Sequence, residues 1–114
     1  LAPKEFAPAA QPSLDAMPSL KWVPLKIADA APASKPVGGS FDVIFVNRRP
    51  QPVQLFWITL NGDRRHYATI EPGKTKSQRT RPGAVWQIAD GTQAACPLGY
   101  FRVDDRAAKA IVPK

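Results

Sequence analysis

The side chains that could carry chemistry in this chain are few, and their spacing suits no catalytic machinery. His66 is the single histidine, so no second imidazole exists for a metal pair or a proton relay. It follows Arg64-Arg65 in a segment expected to be an exposed strand, where a surface histidine is the plain reading. None of the serines (Ser13, Ser19, Ser34, Ser40, Ser77) has the G-x-S-x-G setting of a nucleophile elbow. A Ser77–His66 pair across a hairpin would need an orienting third group, and the local candidates are mostly cationic. Asp104-Asp105 is the only adjacent carboxylate pair, and neighbouring strand residues point to opposite faces, so it reads as a turn. Cys96 is the only cysteine, which excludes an internal disulfide and a cysteine-based metal site and leaves a small, inert hydrophobe. No glycine-rich nucleotide loop is present. Catalytic residues, a metal site and a cofactor are therefore not expected.

Charge points instead to recognition. The formal net charge is +7, and the excess gathers at Arg48-Arg49, at Arg64-Arg65 and over Lys74, Lys76, Arg79 and Arg81. Such a field favours acidic partners. Interleaved aromatics and cations resemble a sheet that binds single-stranded nucleic acid. However, the chain has neither an RNA-recognition signature nor a lysine-rich tail, so nucleic acid is not the expected partner. A larger protein subunit, acidic where it touches this chain, is the better fit.

These residues must be positioned by strands. Val43 to Val46 and Val53 to Leu60 are rich in β-branched and aromatic residues, which suit a half-buried pleated surface. Asn61-Gly62 follows, a dipeptide that suits a two-residue hairpin turn. Pro72-Gly73 and Pro82-Gly83 mark further reversals about ten residues apart, the rhythm of an all-β sandwich. A chain of 114 residues allows one domain with a modest core.

Residues 1–39 read differently. They hold seven of the thirteen prolines, with alanine and serine between them, and Gly38-Gly39 marks the join to a sandwich over 40–114. Proline removes a backbone donor and biases its predecessor to extended conformations, so an extended arm is expected. A solvated tether has no use for Phe6, Trp22, Leu25 and Ile27, whereas an arm lying in a partner's groove does. The chain opens on Leu-Ala-Pro, which fits removal of a leader or a trimmed start. No apolar run approaches the ~20 residues that span a bilayer. We expect an exported bacterial protein held in the periplasm, near a membrane only through its complex.

The ordered pieces IFVNRRP (from Ile44), LFWITLNG, HYATIEPG and RPGAVWQIAD (to Asp90), followed by LGYFRV and AIVP, resemble the β domain of the von Hippel-Lindau tumour suppressor family. The resemblance implies a seven- or eight-stranded sandwich that recognises proteins without catalysis of its own. In that family an aromatic cage with a serine and a histidine reads a hydroxylated proline. Trp57, Tyr67 and Trp86 stand at the cage positions and Thr80 at the serine. Ala84 stands where the histidine should be, and Arg81 replaces a neighbouring tyrosine. A site that hydrogen-bonds a substrate hydroxyl discriminates through that polar partner, so half of the reading head is missing. The other reading is that Trp57 and Trp86 only fill a core, the commoner fate of a strand tryptophan. The helical domain that recruits ubiquitin-ligase subunits has no counterpart in this sequence, and a ligase role is not expected. The expected function is a small accessory subunit of a larger exported bacterial enzyme complex, such as a membrane-associated dehydrogenase, with the arm wrapping its partner. The alternative is a free-standing binder of proline or hydroxyproline peptides.

Overall fold

Among the described residues, eight strands carry most of the apolar side chains into a main core between two sheets. The computed structural model describes residues 16–25 and 31–113. Its strands are β1 (Val23–Pro24), β2 (Phe41–Asn47), β3 (Val53–Ile58), β4 (Arg64–Ile70), β5 (Thr75–Thr80), β6 (Val85–Asp90), β7 (Pro97–Arg102) and β8 (Ala108–Val112). One sheet has the order β1-β7-β6-β3-β4 and the other β5-β2-β8, with β2 and β8 parallel and every other pair antiparallel. The architecture is the expected all-β sandwich.

Period-two alternation explains the core. Val43 and Phe45 of β2 and Ala108, Ala110 and Val112 of β8 meet Val53, Leu55, Trp86, Ile88 and Phe101 of the larger sheet in one buried cluster. The central strand β6 is buried on both faces, so Val85 to Ala89 contains no exposed residue. Its outward side is covered at one end by Ala31 and Leu25, packed with Ile58 and Val85. At the other end Ala95 packs on Phe56 and Ala89. Asp90 ties down the loop that carries Ala95, accepting from the backbone N–H of Thr92 (3.1 Å) and of Cys96 (3.2 Å). The Thr92 hydroxyl also donates to it, and this bond, ahead of the backbone ones, holds the Asp90 carboxyl below its ordinary pKa.

The turns follow their residues. Pro72-Gly73 and Pro82-Gly83 occupy the central positions of two tight turns closed by Lys74 N–H to Glu71 C=O (3.0 Å) and Ala84 N–H to Arg81 C=O (3.2 Å). Both glycines have positive φ, 75° and 86°, as a type II turn requires. The β3–β4 hairpin differs from the expected two-residue turn. Thr59 N–H bonds Asp63 C=O (2.8 Å) and Gly62 N–H bonds Thr59 C=O (3.0 Å), so Leu60, Asn61 and Gly62 form a three-residue loop. Only Gly62 takes positive φ, the arrangement of a type I turn completed by one left-handed residue. Asn47, fully buried, joins two connections: its amide donates to Gln51 C=O and Ile70 C=O (both 2.9 Å), and its Oδ1 accepts from Arg49 N–H (2.9 Å).

The described part of the proline-rich region lies on the sandwich itself. Leu20 N–H bonds Lys109 C=O and Lys109 N–H bonds Pro18 C=O (both 2.9 Å), which lays residues 18–20 beside β8. A few residues on, β1 pairs with β7. The segment thus crosses from the edge of one sheet to the edge of the other. Pro24 is tolerated because β1 is an edge strand. Leu20 is buried in the main cluster, and the Trp22 ring meets Phe101 at 5.2 Å between centroids. Trp22 lies over Gly99, where an added Cβ would stand 2.4 Å from the indole. Further along, Ser34 accepts the Val85 N–H at 2.8 Å, Lys35 N–H bonds Gly83 C=O (3.0 Å) and Val37 N–H bonds Pro82 C=O (2.9 Å).

These contacts set an expected outcome. Replacing Gly99 with alanine drives a methyl into the Trp22 ring and should destabilise the fold by ~1–3 kcal/mol, as overpacking does. Residues 40–114 alone, without Leu20, β1 and Ser34, should unfold at lower urea than the full chain, by ~3 kcal/mol or more for a lost core leucine and a lost buried hydrogen bond. Equilibrium urea unfolding of both variants checks this.

Candidate peptide-binding groove

The candidate residues converge because of one irregularity in β4. The pairing of β3 with β4 steps from Leu55–Ala68 to Phe56–His66, leaving Tyr67 as the extra residue of a bulge. A bulge re-aims side chains. His66 goes to the outer side, its ring 5.3 Å from Phe56. Tyr67 goes to the other side, where its ring meets Trp86 edge-on at 5.1 Å and 86°. Trp57 and Trp86 are direct cross-strand partners on β3 and β6, so their side chains share a face.

Thr80, the last residue of β5, reaches this cluster from the opposite sheet. Its hydroxyl accepts a hydrogen bond from the Trp86 indole N–H at 3.0 Å, and retains its own proton for a further acceptor. The aromatics and Thr80 line a cavity of about 270 Å³, with Ala84 and Pro36 also in its wall and Arg79 and Arg81 at its rim. That volume lies just below the range of small-molecule sites, ~300 to ~1,000 Å³. It suits one side chain of a larger partner rather than a free cofactor. All five residues expected in a groove (Trp57, Tyr67, Thr80, Arg81, Trp86) are therefore brought together.

Exposure separates their roles. Trp86 is 2% exposed and also meets Phe45 edge-on at 5.7 Å, so it serves the core and the cavity wall at once. Trp57 is half-buried against the main cluster. Tyr67 is 46% exposed and forms the solvent-facing lip. Core packing and lining of the cavity are thus shared among the same rings. Ala84 is buried and places a methyl where a polar reader could stand.

Other expected site residues lie elsewhere. Trp22 and Leu25, expected on a partner-wrapping arm, pack on Phe101 and on Ile58 with Val85, within the chain's own sandwich. Phe6 and Ile27 fall outside the described residues. Arg64, grouped by sequence with Arg65, is structural. Its guanidinium stacks 4.5 Å from the Phe56 ring and donates to Gln87 Oε1 (3.1 Å) and Ala95 C=O (2.7 Å). Ser77 pairs with Ile44 on the smaller sheet and His66 with Phe56 on the larger, so the two do not form a pair. Sequence reasoning missed Pro36 in the cavity wall; its position follows from the bonds of Lys35 and Val37 to the Pro82-Gly83 turn.

A family model described as the VHL beta domain matches residues 34–98, more than half of the chain. The chain belongs to this family. VHL β domains are non-catalytic protein-interaction modules, and a protein partner for this one follows at that level. No curated protein matches the chain. The matched span begins at Ser34, which bonds to Val85 of β6, and takes in every described residue of the cavity wall.

The two kinds of wall residue should separate by mutation. Trp86→Ala removes a core tryptophan and should cost ~3–5 kcal/mol, while Trp86→Phe, which loses only the bond to Thr80 and some area, should cost ~1 kcal/mol. Tyr67→Ala, at an exposed lip, should stay within ~1 kcal/mol of the parent. Thermal and urea unfolding measure all three.

Proposed function

We propose that this VHL β domain is a non-catalytic peptide-binding subunit that seats a proline of an extended partner segment against Trp57, Tyr67 and Trp86. The observation that carries the reading is the bulge at Tyr67, which spends a regular ladder position to turn an aromatic ring towards the cavity. Apolar rings with one free hydroxyl proton, at Thr80, suit a pyrrolidine ring lying beside a backbone carbonyl. With Ala84 in place of a second polar reader, hydroxylated and plain proline are held about equally. The partner segment belongs to a larger protein, and a small basic module of this kind serves as an accessory subunit of an exported complex, including a membrane-associated dehydrogenase.

Titration of the intrinsic tryptophan fluorescence with an extended proline peptide tests this. Saturable binding is expected, lost in Tyr67→Ala while that variant stays folded. Hydroxyproline and proline versions should agree within about threefold. A tenfold preference for hydroxyproline, about 1.4 kcal/mol, would show that Thr80 or Arg81 reads the hydroxyl. No binding by either peptide would overturn the groove as the site.

A further inference from the structure

The rim of the groove is as specific as its wall. Arg79, in β5, and Arg81, which opens the turn closed by Ala84, stand on either side of Thr80 in the chain, and both line the cavity that the Thr80 side chain enters. An extended peptide places alternate side chains ~6.8 Å apart, so a carboxylate within two residues of a seated proline stays close to this rim. Arg79 is shared: its guanidinium lies 3.7 Å from an Asp42 carboxylate oxygen and donates to Ser40 Oγ at 3.3 Å. Arg81 is exposed, and its guanidinium has no ion-pair or hydrogen-bond partner among the described residues. Among the described residues no carboxylate lines the cavity.

Apolar contact surface gathers at the same end. The exposed large apolar side chains of the described residues are Val37, Leu60 and Tyr67. Val37 follows Pro36 of the wall and bonds the Pro82-Gly83 turn, Leu60 lies three residues past Trp57, and Tyr67 is the lip. A protein segment is favoured over a nucleic acid because Tyr67 and Trp86 meet at 86°, which leaves no parallel pair of rings to sandwich a base.

We infer that the groove selects a proline with an acidic residue, Asp or Glu, within two positions of it, and that Arg81 is the side chain that reads the carboxylate. This deepens the peptide-binding reading and rests on it. Arg64, of the basic pair Arg64-Arg65, has no part in it because its guanidinium is engaged with Phe56, Gln87 and Ala95.

The test uses the full chain and amidated, fluorescein-labelled dodecapeptides with one central proline flanked on both sides by Asp, by Ala or by Lys. Anisotropy titrations should give the order Asp, Ala, Lys, with Asp about two- to fivefold tighter than Ala at physiological salt. The difference should shrink at 1 M salt, where the screening length falls to ~3 Å. Arg81→Glu should reverse the order and favour Lys, while Arg48→Glu, in the connection after Asn47 at the far end of β2, should keep it. Should Arg81→Glu unfold, Arg81→Gln should abolish the Asp advantage. Equal affinity for Asp and Ala peptides would overturn this inference and leave the peptide-binding reading standing. An acidic peptide without proline that binds as tightly would overturn it as well, since charge alone would then suffice. Failure of every proline peptide would remove both readings, and tighter binding of a random oligonucleotide would assign the rim to nucleic acid instead.

Discussion

The Trp86 ring is the point on which both the fold and the groove depend. It stands on the central strand of the larger sheet, packs edge-on against Phe45 of the smaller one, and bonds Thr80 across the gap. A buried indole needs a partner for its N–H, and the threonine hydroxyl meets that need without introducing a charge. The same bond fixes the end of β5 relative to β6, which holds the arginine rim at its distance from the aromatic wall. Because the tryptophan is rigid in the core, the face it shows to the cavity is preorganised. A binding partner then loses little free energy to ordering the site.

The opening lies where the sandwich leaves it. On one side, residues 16–25 run from β8 to β7 and close the gap between the sheets, with Leu20 and Trp22 turned inward. On the other side, β4 and β5 are both edge strands, joined only through the turn at Pro72-Gly73. The start of β4 and the end of β5 lie away from that turn, and there the cavity forms. Its wall is completed by Pro36, held against the Pro82-Gly83 turn by bonds that require the absence of a side chain at Gly83, since a Cβ there would approach Lys35 O to 2.2 Å. The proline-rich region thus contributes to stability and to the site at once.

Edge strands carrying cations are also protected strands. Charges along β4 and β5 discourage pairing with another sheet, which is useful for a domain whose groove lies beside two open edges. The cations nevertheless divide sharply by role. Arg64 covers the outer face of the larger sheet as an amphipathic cap, its stem and plane on Phe56 and its donors satisfied by Gln87 and Ala95. Arg79, paired with Asp42 and Ser40, and Arg81, exposed to solvent, stand instead at the rim of the cavity.

The sequence by itself determined the fold class and the turns at Pro72-Gly73 and Pro82-Gly83, which rest on local signals: alternation and turn residues with restricted φ. Five residues of the groove are legible only through the resemblance to the VHL β domain, and Pro36 is not among them. What only the tertiary structure decided depends on contacts between segments far apart in the chain. Proline spacing is consistent with an extended segment but cannot say what that segment lies against, and Trp22 over Gly99 is visible only once β1 and β7 are paired. Adjacent arginines look alike in a sequence, yet strand alternation sends Arg64 and Arg65 to opposite faces, and only the packed sheet supplies Phe56 for one of them. The bulge at Tyr67 has no glycine to announce it. It exists because β3 and β4 must shift register to pack Ala68 on one side and His66 on the other, and that choice belongs to the sheet rather than to any residue in it.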